Sequence, residues 1–389
     1  MAHLPLELVL LVMDEAFYLP SGLPDWNTLA ACAAVCRAWL PFAQQLLFHH
    51  TRVGCKAYAV ATHIQHILNR PALANYIRRL ELSVSNRSFR LHSPKYHASE
   101  TQFASLVANL PQLYELAVHF FTPSLDPRTV KQLSQGPSRL QALDMLESFI
   151  PSGVVYQLLQ VWPSIRFLCI RTELLDPLDI PRPPFSLYEL SSTQSRHLPS
   201  LQWFIPPEQA QTTSPLQILE IGAKFLEVEN EEIILAHAPH LRSLSLVQKP
   251  DAGFLDRFSS LEELVVTRLP LSDATSYRWP QTLQHIALWT ELEDYVRPLH
   301  PFVHAIASLL RLRRVTVHGL LNRHRDYASL VDTCQRKGVE LVETLIMNES
   351  RRDLSKKGYL VPVDRFPRAL DALNRRKMEI DVIQSLHKS

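Results

Sequence analysis

The chain has 389 residues, 40 Lys and Arg against 38 Asp and Glu, and a net charge of +2. This balance gives no general electrostatic reason to expect binding to nucleic acid. With 28 prolines and only 9 glycines, we do not expect glycine-rich phosphate or cofactor loops. The length suits two or three compact domains, or one elongated array of repeats.

The number and spacing of the cysteines indicate a reducing cellular compartment. They are odd in number and form no C-x-x-C pair, which argues against a disulfide framework or a zinc site. No apolar run approaches the roughly 18 residues of a membrane span, and no Lys or Arg precedes Arg37, so we expect no signal peptide. We therefore predict a cytoplasmic or nuclear protein with no membrane partner. The five cysteines are Cys32, Cys36, Cys55, Cys169 and Cys334.

The N-terminal 50 residues predict three short helices. Leu4 begins the first, and Asn27 or Thr28 is positioned to cap the second. Pro41 interrupts or restarts the helix, and apolar residues continue beyond it. A bundle of this size cannot bury all its apolar side chains. We expect an exposed apolar patch that either docks a partner or covers the end of the following domain.

One pattern, apolar-x-x-apolar-x-apolar, recurs along the rest of the chain. Most steps between its copies lie in or near the 20–29 residues of leucine-rich repeats, and the step of 51 residues before Leu216 looks like two units with an insertion. The copies begin at Ile77, Leu113, Leu140, Ile165, Leu216, Leu241, Leu261, Leu283 and Leu312, with a degraded copy at Val339.

Each copy predicts a short strand, because its last two apolar positions alternate with polar ones. Segments 99–110, 151–163, 229–239 and 300–312 between the copies are typical of helices. One strand and one helix cannot bury their apolar faces alone, whereas stacked copies can. The pattern predicts an α/β solenoid with parallel strands on the concave side and helices on the convex side. An ordinary α/β domain is the alternative.

These patterns predict three regions. Residues 1–50 form the helical module, residues 51–350 the irregular leucine-rich-repeat solenoid, and residues 351–389 a basic C-terminal capping segment with ten Lys and Arg against five Asp and Glu. Two segments break the repeat: the polar loop 85–99 and an insertion at 175–215, rich in Pro, Ser and Gln. The insertion is either functional or a surface loop of no consequence.

The predicted strands place polar residues in rows across one face of the sheet. The C-terminal rungs combine an aromatic side chain with cationic donors, which suits an acidic or phosphorylated peptide. At any single position, an exposed sheet face without a ligand is the alternative. The predicted target-binding residues are His285, Trp289, Arg314, Thr316 and His318.

The sequence contains no motif of an enzyme active site. Hydrolase nucleophile elbows, zinc-protease helices, Walker A loops and dinucleotide fingerprints are all missing. His63 and His66 have the i, i+3 spacing of metal ligands, but no third ligand accompanies them. We predict no catalytic residues, no metal site and no cofactor.

The N-terminal module resembles an F-box. The version "VCRAWLPFAQQLLF" is especially similar to F-box proteins of higher fungi, whose leucine-rich repeats are also irregular. The loop between the first two helices is longer than is usual in the family. The resemblance is carried by Leu4, Pro5, Glu7, Leu8, Leu29, Val35, Cys36 and Trp39.

The resemblance implies that these residues bind a Skp-type adaptor and, through it, a cullin–RING ubiquitin ligase. The fold would be a three-helix F-box-like module followed by the irregular leucine-rich-repeat solenoid, which would hold an unidentified protein substrate. The chain would then be a non-catalytic recognition subunit that acts by proximity. A repeat scaffold that acts outside ubiquitination is the alternative, and an enzyme is a distant third.

Overall fold

The structure is a computed structural model. It describes residues 8–9, 12–13, 25–54, 59–85, 97–136, 140–148, 150–177, 180–192, 201–211, 216–222, 228–246, 253–266, 278–289, 299–318 and 321–344. The predicted capping segment 351–389 and most of the predicted polar loop 85–99 lie outside these residues.

Strands and helices alternate along the described chain. The strands are β1 (His50–Arg52), β2 (Arg79–Ser85), β3 (Glu115–Phe121), β4 (Ala142–Met145), β5 (Phe167–Ile170), β6 (Glu189–Ser192), β7 (Ile218–Ile221), β8 (Ser243–Leu246), β9 (Glu263–Val266), β10 (His285–Trp289), β11 (Arg314–His318) and β12 (Glu340–Thr344). The helices are α1 (Trp26–Val35), α2 (Leu40–His49), α3 (Val60–Leu68), α4 (Pro71–Ala74), α5 (Glu100–Ala108), α6 (Pro127–Leu133), α7 (Val154–Val161), α8 (Leu201–Phe204), α9 (Val228–His237), α10 (His300–Ser308) and α11 (Tyr327–Lys337).

The chain forms two compact units. The first contains the described residues up to Ser186 and from Ser192 to Phe204, and the second contains residues 187–191 and those from Ile205 onwards. In the first unit, β1 to β5 pair in chain order and in parallel. In the second, β7 to β12 do the same. A parallel α/β fold with strands in chain order is therefore confirmed, and this order is compatible with stacked repeats.

The predicted repeats coincide with the strands. Each of the nine copies begins two residues before a strand, and its three apolar positions are buried. In the copy before β8, for example, Leu241, Leu244 and Leu246 are at most 1% exposed. The degraded copy at Val339 is one residue out of register, because the pairing of β11 with β12 aligns Arg314 with Glu340.

One hydrogen-bond motif repeats where the strands begin. The carbonyl oxygen of the residue before a strand accepts two N–H groups from the next described repeat. The donors are the residue before that repeat's strand and the first residue of the strand. Arg242, for example, accepts from Glu262 at 2.8 Å and from Glu263 at 3.0 Å. Each copy therefore satisfies its neighbour's backbone. The same motif occurs at Arg78, Tyr114, Gln141, Tyr188, Gln217, Glu262 and Gln284.

The predicted insertion at 175–215 contains strand β6 and helix α8. The strand lies in a copy of the pattern that begins at Leu187. This copy was not recognised in the sequence, because Ser192 occupies its third apolar position. Both Leu190 and Ser192 are buried, at 0% and 1% exposure. The step of 51 residues therefore contains a second strand unit, as its length predicted.

The N-terminal module consists of helical backbone at residues 8–9 and 12–13, followed by α1 and α2. Helix α1 is capped by Asp25 rather than by Asn27 or Thr28, since its carboxylate accepts the N–H of Thr28 at 3.0 Å. The helix ends before Cys36, and α2 restarts with Pro41 in its first turn. The predicted restart at Pro41 is confirmed.

The module continues directly into the sheet. Helix α2 ends at His49, and β1 begins at His50 without an intervening loop. The N–H of Arg78 donates to the carbonyl of His49 at 3.0 Å, and the ring centroids of Trp26 and His50 lie 6.0 Å apart. Residue 50, the predicted end of the helical module, is the first residue of β1.

Candidate functional site

The N-terminal module has a small apolar core of its own. Val9, Met13 and Ala43 form a buried cluster at 3%, 0% and 0% exposure. This core joins the first helical segment to α2 and α1. The partly buried residues that pack against it are Cys32, Ala33, Trp39, Phe42 and Leu46.

The same module exposes large apolar side chains. In the first helical segment, Leu8 and Val12 are 48% and 49% exposed, whereas Val9 and Met13 are buried. Five of the seven large apolar side chains that are exposed in the described part of the chain lie between residues 8 and 40. Such a concentration is typical of a surface that binds a partner. We name these five residues the apolar N-terminal patch: Leu8, Val12, Trp26, Val35 and Leu40.

The eight residues predicted to bind an adaptor fall into three groups. Leu8, Val35 and Cys36 are exposed, Val35 to 60%, and are accessible to a partner. Leu29 is fully buried and Trp39 packs against the core cluster, so these two stabilise the module. The remaining three lie outside the described residues: Leu4, Pro5 and Glu7.

In the first unit, polar side chains of adjacent strands pair with one another. Arg52 Nε lies 2.8 Å from Glu81 Oε1, and Arg171 Nε lies 3.3 Å from Asp144 Oδ1. Burial alone would raise the pKa of Glu81, but His50 and the charge of Arg52 lower it to about 2. Burial lowers the pKa of His50 itself. These pairs bind neighbouring repeats to each other.

In the second unit, four polar residues on β8 to β11 form a buried network. His285 Nδ1 lies 2.8 Å from Glu263 Oε1, and His285 Nε2 lies 2.9 Å from Thr316 Oγ1. The Ser243 hydroxyl donates to the other oxygen of Glu263. All four side chains are fully buried. The order hydroxyl–imidazole–carboxylate resembles a hydrolase triad, but a buried hydroxyl has no access to a substrate.

The expected alternation of buried and less buried residues holds for β2 but is wrong for five of the twelve strands. β4, β5, β7, β8 and β9 are buried at every position. On β8 and β9, the polar side chains of Ser243 and Glu263 cover each other through a hydrogen bond, whereas on β5 the corresponding positions are the apolar Phe167 and Cys169.

This burial changes the status of the predicted target-binding residues. His285 and Thr316 are fully buried, so the expectation that they face a target is wrong. Arg314 is half-buried and donates through Nε to Glu340 Oε2 at 2.7 Å. The backbones of Trp289 and His318 lie in β10 and β11, but their side chains are outside the described structure.

A polar trough lies on the surface of the second unit, at the edge of the sheet where the strands begin. Its lining includes the residues immediately before four successive strands, from β7 to β10: Gln217, Arg242, Glu262 and Gln284. The segments that precede these strands and β11 contribute His240, Ser259, Ser260, Thr282 and Arg311. The repeat pattern did not predict this trough, because it specifies only apolar positions and leaves the residue before each strand undefined.

A second depression adjoins the trough. It shares Ser259 and Thr282 with the trough and adds the side chains of Asp256, Arg278 and Trp279. The two depressions therefore share part of their lining, and the second is also lined by the apolar residues Leu255, Phe258 and Pro280.

The described residues offer neither a membrane-spanning helix nor a metal-binding cluster. They contain no helix with the length and apolar character needed to cross a membrane, and no group of three or more His, Cys, Asp or Glu side chains placed to hold a metal ion. Neither models of known protein families nor curated protein sequences match the chain. A functional assignment therefore depends on the residues and geometry described above.

Proposed function

We propose that the chain is the substrate-recognition subunit of a Skp–cullin–F-box-type ubiquitin ligase. The N-terminal module would dock on a Skp-type adaptor, and the irregular leucine-rich repeats would hold a target protein. The observation that carries this proposal is the apolar N-terminal patch, in which Leu8 and Val35 are exposed while Val9 and Met13 of the same module are buried in its core. The F-box-like sequence supplies the kind of partner.

The patch is suited to docking on energetic grounds. Full burial of a Leu or Val side chain is worth about 1.5–3 kcal/mol, and the side chains of the patch are roughly half exposed. Each therefore has about 1 kcal/mol still to gain in an interface. A charged substitution would lose this gain and add the cost of a buried charge.

The mechanism is proximity without covalent chemistry by this chain. A target bound to the repeats would be tethered to the ligase, which raises the effective concentration of its lysines near the ubiquitin donor. The buried state of the Glu263–His285–Thr316 network agrees with this division of labour, because it leaves Thr316 without solvent contact.

Co-purification of the full-length chain with a Skp-type adaptor tests the proposal. We expect the natural chain to bind, and the variants Leu8→Asp and Val35→Asp to lose binding. Leu310→Asp is the matched control, since Leu310 is an apolar side chain that is 87% exposed in the second unit. Equal binding by all four proteins, or no binding by any, would contradict the proposal.

A second candidate is a repeat scaffold in which the helical module only covers the first strand of the sheet. The direct continuation of α2 into β1 and the hydrogen bond from Arg78 to His49 favour it. Under this alternative, Leu8→Asp and Val35→Asp would leave every interaction of the protein unchanged. Recruitment of a cullin by the adaptor-bound chain, and ubiquitination of a bound target, separate the two functions.

A further inference from the structure

The residues that lead into the strands of the second unit form a regular polar row. Gln217, Arg242, Glu262 and Gln284 are half-buried and precede four consecutive strands. Adjacent strands lie about 4.8 Å apart, so four of these positions span roughly 14 Å. Arg313 is the next position in the row, since its N–H donates to the carbonyl of Gln284 at 2.9 Å.

The negative charge within the row is already neutralised. Glu262 accepts two hydrogen bonds from Arg242, at 2.7 Å and 2.9 Å, and a longer one from Gln284 at 3.4 Å. This bidentate pair holds the Arg242 guanidinium in place. The carboxylate of Glu262 therefore does not compete for the other cations of the trough.

Two further arginines lie in the segments that lead into β10 and β11, on the same side of this pair along the strand order. Arg311 lines the trough and Arg278 lines the adjoining depression. Both side chains are exposed, and neither forms an ion pair in the described part of the chain. Arg313 is exposed as well, whereas the opposing acid is the exposed Asp256. Among the described residues, this surface therefore presents more positive than negative charge.

We propose that this trough binds an extended anionic peptide segment of a target protein, with Arg278 and Arg311 as its charged contacts. The hydroxyl of Ser259 adds a neutral donor for carboxylate or phosphate oxygens, whereas the Thr282 hydroxyl already donates to the carbonyl of Leu261 at 2.6 Å. An extended peptide advances about 3.3 Å per residue, so the row accommodates roughly four residues. This inference depends on the part of the proposed function that assigns target binding to the repeats.

The trough is a better target site than the face of the strands. On β9, β10 and β11, Glu263, His285 and Thr316 hydrogen-bond to one another and are buried. The residues that lead into the strands are accessible, and their spacing is set by the sheet. An arginine fork also recognises planar or tetrahedral oxyanions with defined geometry.

Fluorescence anisotropy with three labelled peptides tests the inference on the full-length chain. The probes are Glu-Glu-phosphoSer-Glu-Glu, Glu-Glu-Ser-Glu-Glu and Lys-Lys-Ser-Lys-Lys. We expect an acidic peptide to bind, with weaker binding at high salt, and the lysine peptide not to bind. A preference for the phosphorylated peptide would assign the contact to phosphate, and equal binding of the two acidic peptides would assign it to carboxylates.

Charge-reversal variants locate the site. Arg278→Glu and Arg311→Glu are each expected to weaken binding of the acidic peptides by about ten-fold or more. Arg70→Glu is the control, because Arg70 is an exposed arginine of the first unit, and it should change binding less than about two-fold. Thermal unfolding of each variant verifies that it folds.

Three results would overturn the inference: no binding of either acidic peptide, equal binding of the lysine peptide, or unchanged binding by folded Arg278→Glu and Arg311→Glu. Adaptor co-purification is measured on the same preparations. If the adaptor binds and the acidic peptides do not, this inference alone is wrong. If the acidic peptides bind and the adaptor does not, the ubiquitin-ligase proposal is wrong and the trough remains.

Discussion

The imidazole of His285 and the carboxylate of Glu263 lie 2.8 Å apart on adjacent parallel strands, and both side chains are fully buried. The second ring nitrogen of His285 contacts the hydroxyl of Thr316 on the following strand. A carboxylate is tolerated in a protein interior only where partners compensate for the lost water. Glu263, His285 and Thr316 therefore link three consecutive repeats of the second unit.

Substitution of His285 by Leu is expected to destabilise the protein by about 3–5 kcal/mol, because it leaves the buried carboxylate of Glu263 without its imidazole partner. Chemical denaturation measures this loss. The double variant His285→Leu/Glu263→Gln removes the charge as well and should recover part of the stability. If the second substitution brings no gain, a stranded charge is not the cause of the loss.

The ion pair of Arg52 with Glu81 is expected to contribute less as the pH falls. The pKa of Glu81 is lowered from 4.5 to about 2 in the folded protein, so the ionised carboxylate stabilises the fold above pH 4.5. This stabilisation is lost as the pH falls from about 4.5 to 2. Because Arg52 is 48% exposed, Arg52→Ala should cost only about 1 kcal/mol at pH 7.

Denaturation of the natural chain and of Arg52→Ala at several pH values measures this effect. The difference in unfolding free energy should shrink between pH 4.5 and 2, since protonated Glu81 no longer attracts the guanidinium. Arg70→Ala, which replaces an exposed arginine, serves as the control and should show no such trend. A difference for Arg52→Ala that stays constant with pH would contradict the assignment.

The cysteines are expected to differ in reactivity. Cys36 is exposed beside Val35, whereas Cys169 and Cys334 are buried. Burial also raises the pKa of Cys334 to about 11, which disfavours its reactive thiolate. With a maleimide at pH 7, Cys36 should react first, and the two buried thiols should react only after unfolding.

Peptide mapping by mass spectrometry follows this labelling. Because Cys36 adjoins the apolar N-terminal patch, a bound adaptor should slow its alkylation. Labelling of Cys334 in the folded protein as fast as that of Cys36 would show that the burial described for Cys334 is wrong.

The start of α5 is expected to depend on Ser99. Its hydroxyl accepts the N–H of Gln102 at 3.2 Å, and the Gln102 side chain accepts the N–H of Ser99 at 2.9 Å. Ser99→Ala breaks this reciprocal cap and should cost about 1 kcal/mol of stability. Ser105→Ala on the same helix is the control and should cost less, because alanine favours the helix interior. An equal cost for both variants would exclude a capping role.

The order of the fold was predictable from local pattern. In each apolar-x-x-apolar-x-apolar run, the second and third apolar residues lie on the strand and are expected to be buried. Leu244 and Leu246 on β8 are buried in this way. The copy at Leu187 was not recognised by this pattern, because Ser192 stands at its third apolar position. Ser192 is nevertheless buried. At the start of α1, Asp25 rather than Asn27 or Thr28 supplies the capping oxygen.

The candidate functional site was likewise predictable only in part. The apolar character of Leu8 and Val35 and the F-box-like spacing are visible in the sequence, because they are properties of single residues and short segments. That Trp39 packs inward while Val35 faces outward depends on where α1 ends and α2 begins. Spacing along one helix does not contain that information.

The amino-acid sequence by itself determined the repeat, the strand positions and the apolar face of each copy, because burial of alternate apolar side chains follows from spacing along the chain. Only the tertiary structure decided which polar residues are accessible. His285 is buried because Glu263 and Thr316 on the neighbouring strands satisfy its ring nitrogens. Arg311 is exposed, and Glu262, which lines the same trough, is bound to Arg242. Both sets of contacts join partners 20 to 31 residues apart along the chain, which the parallel sheet brings side by side.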